Sequence, residues 1–234
     1  MRVLVVAAHP DDEVLGCGAS IAEHLSKGDE VAVFILGDGV TARYPESELE
    51  SLSVQAQVKK IHQDAHRACE ILGVHDVTVK GLYCTRFDKW PLSDITKMIE
   101  AKIDDFKPDR IYTHNPNDSN LDHEIVFRAV QIASRPIAGK TAYVKEVFLM
   151  EVLSSTEWDF RNAFRPNFYQ QVSEKALQLK QKAMSAYESE RRPSPHPRSN
   201  DVISALACKR GSEVGVAWAE AFSTFRAIAT IQND

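Results

Sequence analysis

The stretch VLVVAAHPDDEVLGCG, Val3 to Gly18, decides how the rest of the chain is read. RVLVVAA (2–8) is a continuous apolar run rich in β-branched residues. A run of that length and kind suits a strand covered on both faces, as in a parallel sheet. It ends abruptly in His9, Asp11, Asp12 and Glu13. Carboxylates crowded together raise one another's energy unless a cation or separate partners take up their charge. In open α/β sheets, ligands sit just beyond the carboxyl ends of the strands, which is where this cluster falls.

Working outward, the same alternation repeats. GASIAEHLSKG (18–28) has helical spacing through Ile21, Ala22 and Leu25, and Gly28 is a natural stop. EVAVFIL (30–36) reads as a second buried strand, and residues 37–50 read as a loop. Val58, Ile61, Ala65, Ala68 and Leu72 predict an amphipathic helix over 53–72, ended by Gly73. A third strand is predicted at 76–82, a helix from a Ser93 cap to about Phe106, a fourth strand at 110–115, a helix from Asp122 to Ser134 and a fifth strand at 145–153. Strands alternating with helices predict a Rossmann-like α/β fold, a mainly parallel sheet flanked by helices with right-handed crossovers. The proline-rich ERRPSPHPRSND (190–201) is followed by helix-like spacing at Ile203, Leu206 and Ala207. It is read as a functional loop inside one domain spanning 1–234.

The chain has 234 residues, 44% hydrophobic and 26% charged, with a formal net charge of -5. That length suits one domain with a sizeable core. The negative balance disfavours a nucleic-acid partner held by bulk electrostatics. No apolar run approaches a membrane span, and the short apolar start is followed at once by acidic residues, unlike a secretory signal. The expectation is a cytoplasmic protein. Cys17, Cys69, Cys84 and Cys208 are scattered and form no CxxC pair, which argues against a disulfide framework and a thiolate zinc site.

A second polar cluster, THNPNDSNLDHE (113–124), follows the fourth predicted strand as the first follows strand one. The two loops can share a crevice. His9, Asp12 and His123 together offer two imidazoles and a carboxylate, a ligand set of catalytic zinc that leaves a position for water. Asp11 is then the unligated carboxylate beside that water. The competing reading is that the acidic residues only cap the following helix, where carboxylates favour the positive dipole end. It is preferred for Glu13. It explains His9, Asp11 and Asp12 less well, since a cap needs one acceptor.

AHPDDEVLGCG resembles the signature of the LmbE/PIG-L family of zinc-dependent N-deacetylases, and NDSNLDHE resembles that family's second metal motif. The resemblance continues through ASRP (133–136), EVLSSTEW (151–158), PNFYQQVS (166–173), YESE (187–190), PHPRS (195–199) and AEAF (219–222), and so spans nearly the whole chain. It implies an LmbE-like deacetylase fold and hydrolysis of the N-acetyl group of an N-acetylglucosamine-type sugar, free or on a nucleotide, lipid or other aglycone. It implies Zn2+ on His9, Asp12 and His123, with Asp11 as general base. It also implies assembly into a homo-oligomer, as family members often do. Many members have a histidine where this chain has Asn120, so a transition-state role for that histidine does not carry over.

Another donor must then serve, or Asn120 itself. The candidates are Arg43, on the loop after strand two; His114, at the end of strand four; and His196, held between prolines that restrict its backbone. His196 is expected to reach the pocket, and Arg198 to bind a substrate carboxylate or phosphate. Asp122 is expected to orient a neighbouring ligand or loop rather than bind metal. Trp158, Tyr44 and Tyr169 are candidates to stack on a sugar, although aromatics more often build core or interface. Two other classes stay open. One is a nucleotide-binding module, suggested by GCG at 16–18 but lacking the third glycine of its pattern, where Ile21 stands. The other is a non-catalytic protein that keeps the fold.

Overall fold

Seven strands form one sheet in the order β3-β2-β1-β4-β5-β7-β6 in the computed structural model, which describes residues 1–137 and 144–229. β1 (Arg2–Ala7) pairs in parallel with β2 (Glu30–Gly37) on one side and with β4 (Arg110–His114) on the other. β3 (Asp76–Leu82) and β5 (Glu146–Met150) extend the parallel part. β7 (Ala219–Ala227) and β6 (Phe168–Gln171) close it antiparallel. The mixed α/β architecture and the mainly parallel sheet agree with the sequence reading.

The apolar run of β1 is explained by its two faces. Val3, Val5 and Ala7 belong to the core under α1 (Asp12–Ser26) and α2 (Leu52–Leu72), whereas Leu4, Val6 and Ala8 belong to the core under α3 (Leu92–Phe106) and α4 (Leu121–Ala133). All six are wholly buried. β1 leads through α1 to β2, and β4 lies on its other side, so the crevice between β1 and β4 is the point where the strand order reverses.

Several boundaries differ from expectation. α1 begins at Asp12, inside the acidic cluster, rather than at Gly18, and non-helical backbone at Cys17 (φ -150°, ψ 21°) breaks it. Gly16 lies within this helix, and a Cβ there would collide with the Met150 side chain. The GCG triplet is therefore a packing device, not a phosphate-cradling turn. α3 starts after Pro91, and Ser93 sits inside it bonded to Asp94, so Ser93 is no cap. Residues 37–50 include two short 3-10 turns, Thr41–Arg43 and Glu46–Glu48.

Three elements lie outside the sequence reading: β6, β7 and α5 (Glu174–Ala186). β6 is only four residues, FYQQ, with no apolar alternation. α5 carries a buried lysine, Lys180, that interrupts its apolar stripe. Its ammonium binds Glu220 at 2.6 Å and donates to the Leu15 carbonyl at 2.8 Å, while Glu220 accepts from the amides of Ala19 and Ser20. This buried pair supplies partners to the backbone on both sides of the break in α1. α6 (Asn200–Ser212) follows the proline-rich loop. Among the described residues, no helix is long and apolar enough to cross a membrane.

Candidate metal centre and active site

The loops after β1 and β4 meet because those strands are neighbours. His9 stands just beyond β1, Asp12 opens α1 and His123 lies in the first turn of α4. His9 Nδ1 is 3.3 Å from His123 Nε2 and 3.4 Å from Asp12 Oδ2, and His123 Nε2 is 3.2 Å from the same oxygen. One donor atom from each residue lies within 4.8 Å of the other two.

The opposite edge of each imidazole is held by a carboxylate. Asp122 Oδ2 is 2.9 Å from His9 Nε2, and Asp118 Oδ2 is 3.1 Å from His123 Nδ1. Asp122 also accepts the amides of Thr85 and Phe87, so it orients both the ring and the loop after β3. Asp118 in turn accepts from Ser155 Oγ at 3.0 Å and Thr156 Oγ1 at 2.7 Å. These partners leave Nδ1 of His9 and Nε2 of His123 facing Asp12, a bracing common around metal-binding histidines.

Burial opposes charge on His123 and Asp12, yet each holds the other charged. His123 is pushed up to about 9, and Asp12 lies well below the usual carboxylate range. Imidazole binds metal in its neutral form, so a divalent cation placed here would displace the proton that this pairing holds on His123. The donor set fits zinc.

Asp11 and Glu13 take different parts. Asp11 has φ 103°, a conformation unfavourable for a residue with a Cβ. Its amide donates to Glu13 Oε2 at 3.1 Å, and Glu13 Oε1 accepts from the Tyr187 hydroxyl at 2.6 Å. Glu13 thus satisfies the backbone at the helix entrance, and the Asp11 side chain, freed from capping, points elsewhere. Asp11 is buried and lines a cavity of about 170 Å³. Its Oδ2 has no hydrogen-bond partner among the described residues. Burial pushes its carboxyl up to about 7, against the pull of the Arg198 guanidinium.

His9, Arg43, Asn120 and Arg198 also line this cavity, as does Glu190. Asn120 caps α4 by accepting the Asp122 amide through Oδ1. Arg43 pairs with Glu190, and Arg198 bridges Glu190 and Asp11. His114 and His196 do not line it. His114 is wholly buried beneath His123, stacked at 3.9 Å, with its Nε2 accepting the Ala8 amide at 2.8 Å. Burial, followed by the neighbouring His123 charge, pushes it down to about 3, so it is a neutral support. His196, expected in the pocket, is exposed, and its Nδ1 accepts the Arg198 amide at 3.1 Å. The loop turns Arg198 inward instead. Trp158, Tyr44 and Tyr169 also lie outside the lining: Trp158 is exposed, and the two tyrosine hydroxyls bond to Gln57 and Glu213.

The sequence profile of the family described as PIG-L, GlcNAc-PI de-N-acetylase, matches residues 4–134, over half of the chain. The chain belongs to the PIG-L family. An uncharacterized deacetylase of Escherichia coli (strain K12), YaiS, is 27% identical over 192 residues, covering 80% of this chain and 90% of its own. In fold, the chain resembles the N,N'-diacetylchitobiose deacetylase of Pyrococcus horikoshii, at a TM-score of 0.72 and 21% identity, over 96% of this chain and 84% of that one. It also resembles the 4-carboxy-2-hydroxymuconate hydratase GalB of Pseudomonas putida KT2440, at a TM-score of 0.75 and 19% identity, over 100% and 99% of the two chains. A hydratase on this fold shows that PIG-L architecture alone does not choose the reaction.

Sequence reasoning passed over three residues of this PIG-L site: Asp118, Tyr187 and Glu190. Asp118 lay within the quoted NDSNLDHE motif, five residues before His123, but the sequence reading gave it no role; in the structure it also accepts the Asn120 amide. Tyr187 and Glu190 sit in YESE, far from either motif; the family resemblance ran through that stretch but gave neither residue a role.

Proposed function

We propose that this chain is a metal-dependent hydrolase that removes the acetyl group from an N-acetylated sugar, releasing acetate and an amine. The observation that carries the reading is the pairing of two features. Three ligand-type atoms converge between braced imidazoles, and a buried carboxylate with an unpartnered oxygen stands beside them on the cavity wall. Membership of a de-N-acetylase family supports the amide as the bond that is cut.

His9, Asp12 and His123 would hold the ion. When bound, zinc supplies Lewis acidity, lowering the pKa of water and polarising an amide carbonyl. Asp11 accepts a proton from the attacking water as its oxygen bonds to the acyl carbon. It returns that proton to the sugar nitrogen as the carbon–nitrogen bond breaks. Its Oδ2 makes no hydrogen bond, and the Arg198 guanidinium stands 3.3 Å from it as an ion contact. Arg43 and Asn120 line the cavity and are the donors available to the substrate's carbonyl and hydroxyl oxygens, so they stand in for the family histidine. His114 contributes by packing under His123, not by touching substrate.

The test is metal analysis coupled to an amine-release assay over free, nucleotide-linked and lipid-linked N-acetylhexosamines. Zinc near one equivalent and acetate equal to amine are expected with at least one substrate. A zinc-loaded protein that releases no amine from any of them would reject the reading.

A further inference from the structure

Glu190 is the one carboxylate of the cavity wall that neither motif contains. It is 4% exposed and follows α5, a long way in sequence from Asp11. Its two oxygens serve different partners. Oε1 takes Arg43 Nη2 and the Ser189 hydroxyl, and Oε2 takes Arg198 Nη1 at 2.7 Å. Arg198 Nε donates to Ser154 Oγ at 3.2 Å and lies 3.3 Å from Asp11 Oδ2. That last approach is an ion contact without a hydrogen bond, for Asp11 Oδ2 has none. Two anchors therefore hold the guanidinium close to Asp11 but not on it.

A guanidinium carries five N–H donors and prefers a two-pronged grip on one carboxylate. With Glu190 neutral, Asp11 would be the one carboxylate left beside Arg198 among its described contacts. The guanidinium would close onto the oxygen that must stay free. We infer that Glu190 is a positioning residue: by sharing Arg198 with Asp11, it keeps the Asp11 carboxylate open to the reacting water. This rests on the proposed role of Asp11 as the base. Glu190 touches neither substrate nor metal in this role and acts through Arg198.

A double-mutant cycle on the zinc-loaded full chain tests it. Glu190→Gln should lower kcat roughly tenfold to a hundredfold, as misplacement beside a reacting group does. KM should stay within about twofold, and zinc content should be unchanged. In an Arg198→Ala background, the same change should alter kcat by less than about twofold, because the partner through which it acts is gone. Equal losses in both backgrounds, or an unchanged kcat in the single variant, would overturn the inference. Should Glu190→Gln fail to fold, Arg198→Lys is the second variant. Its ammonium keeps the charge but cannot reproduce the planar fork that reaches three partners. A similar fall in kcat is expected, and wild-type kcat would overturn the inference. If the wild-type chain hydrolyses no N-acetylhexosamine, the hydrolase reading fails by itself. The Arg198 15Nε resonance, assigned by its loss in Arg198→Lys, then reads the positioning directly. It should shift in Glu190→Gln, and an unmoved resonance would overturn the inference.

Discussion

From β1 to α4 the chain repeats one move, strand then helix then parallel strand. From β5 onward it doubles back, placing β7 antiparallel between β5 and β6. The first region supplies His9, Asp11, Asp12, Asp118, Asp122 and His123, all beyond the carboxyl ends of β1 and β4. The second supplies Tyr187, Glu190, Arg198 and the serines at 154 and 155, which press on those residues from the other side. The comparison separates two ways of building a site. The side that carries the proposed metal ligands follows from topology, because neighbouring parallel strands bring their following loops together. The opposing wall follows mostly from packing: Tyr187, Glu190 and Arg198 are carried there on the segment between α5 and α6, while Ser154 and Ser155 follow β5, the parallel neighbour of β4.

The largest expected effects fall on the first region. Asp11→Asn should keep its zinc yet lose about 10²–10⁴-fold in turnover, the usual worth of a general acid–base group. Asp12→Ala should lose both zinc and turnover. Metal analysis beside steady-state kinetics distinguishes the two. Loss of zinc from Asp11→Asn would make Asp11 a ligand and erase the division of labour between adjacent carboxylates.

A stability change of intermediate size tests whether the second region braces the first. Lys180→Met leaves Glu220 buried against the Ala19 and Ser20 amides without its ammonium. Breaking a buried pair from one side costs about 3–5 kcal/mol, so urea unfolding should show a loss of that order. A loss below about 1 kcal/mol, the scale of an exposed pair, would mean that the broken helix α1 does not depend on α5.

The smallest effect sharpens the comparison within a single loop. His196→Ala should leave kcat and KM within about twofold of wild type, since it removes an exposed ring that touches no reacting group. Arg198→Ala, two residues on, should change kcat by roughly tenfold or more. A large loss from His196→Ala would restore the histidine to the site, reached by a movement or by a neighbouring subunit.

Much of the parallel half was legible. β1 announced itself because both its faces are buried, which leaves an uninterrupted apolar run. The motifs at 9–13 and 118–123 were legible because each is contiguous and falls where a strand ends. Asp118 belonged to that legible stretch, and its grip on His123 became visible once Ser155 and Thr156 were seen to hold it in place. α5 was obscured by Lys180, which reads as a surface residue until Glu220 appears beside it. β6 and β7 were obscured because antiparallel strands near a sheet edge are half-buried and carry a mixed pattern. His196 drew attention through its prolines, but backbone restriction says nothing about which side of a loop faces inward.

The amino-acid sequence by itself determined the parallel α/β core, the identity of the ligand-type residues and the presence of an extra carboxylate beside them. These depend on local pattern: apolar runs that only a two-sided core can bury, and polar clusters at their ends. The tertiary structure decided what each carboxylate of the acidic run does. It gave Asp12 to the imidazoles, Glu13 to the Asp11 amide and Tyr187, and Asp11 to the cavity, and it placed Arg198 rather than His196 on the wall. Those choices depend on partners more than a hundred residues away, whose distances in space no local spacing encodes.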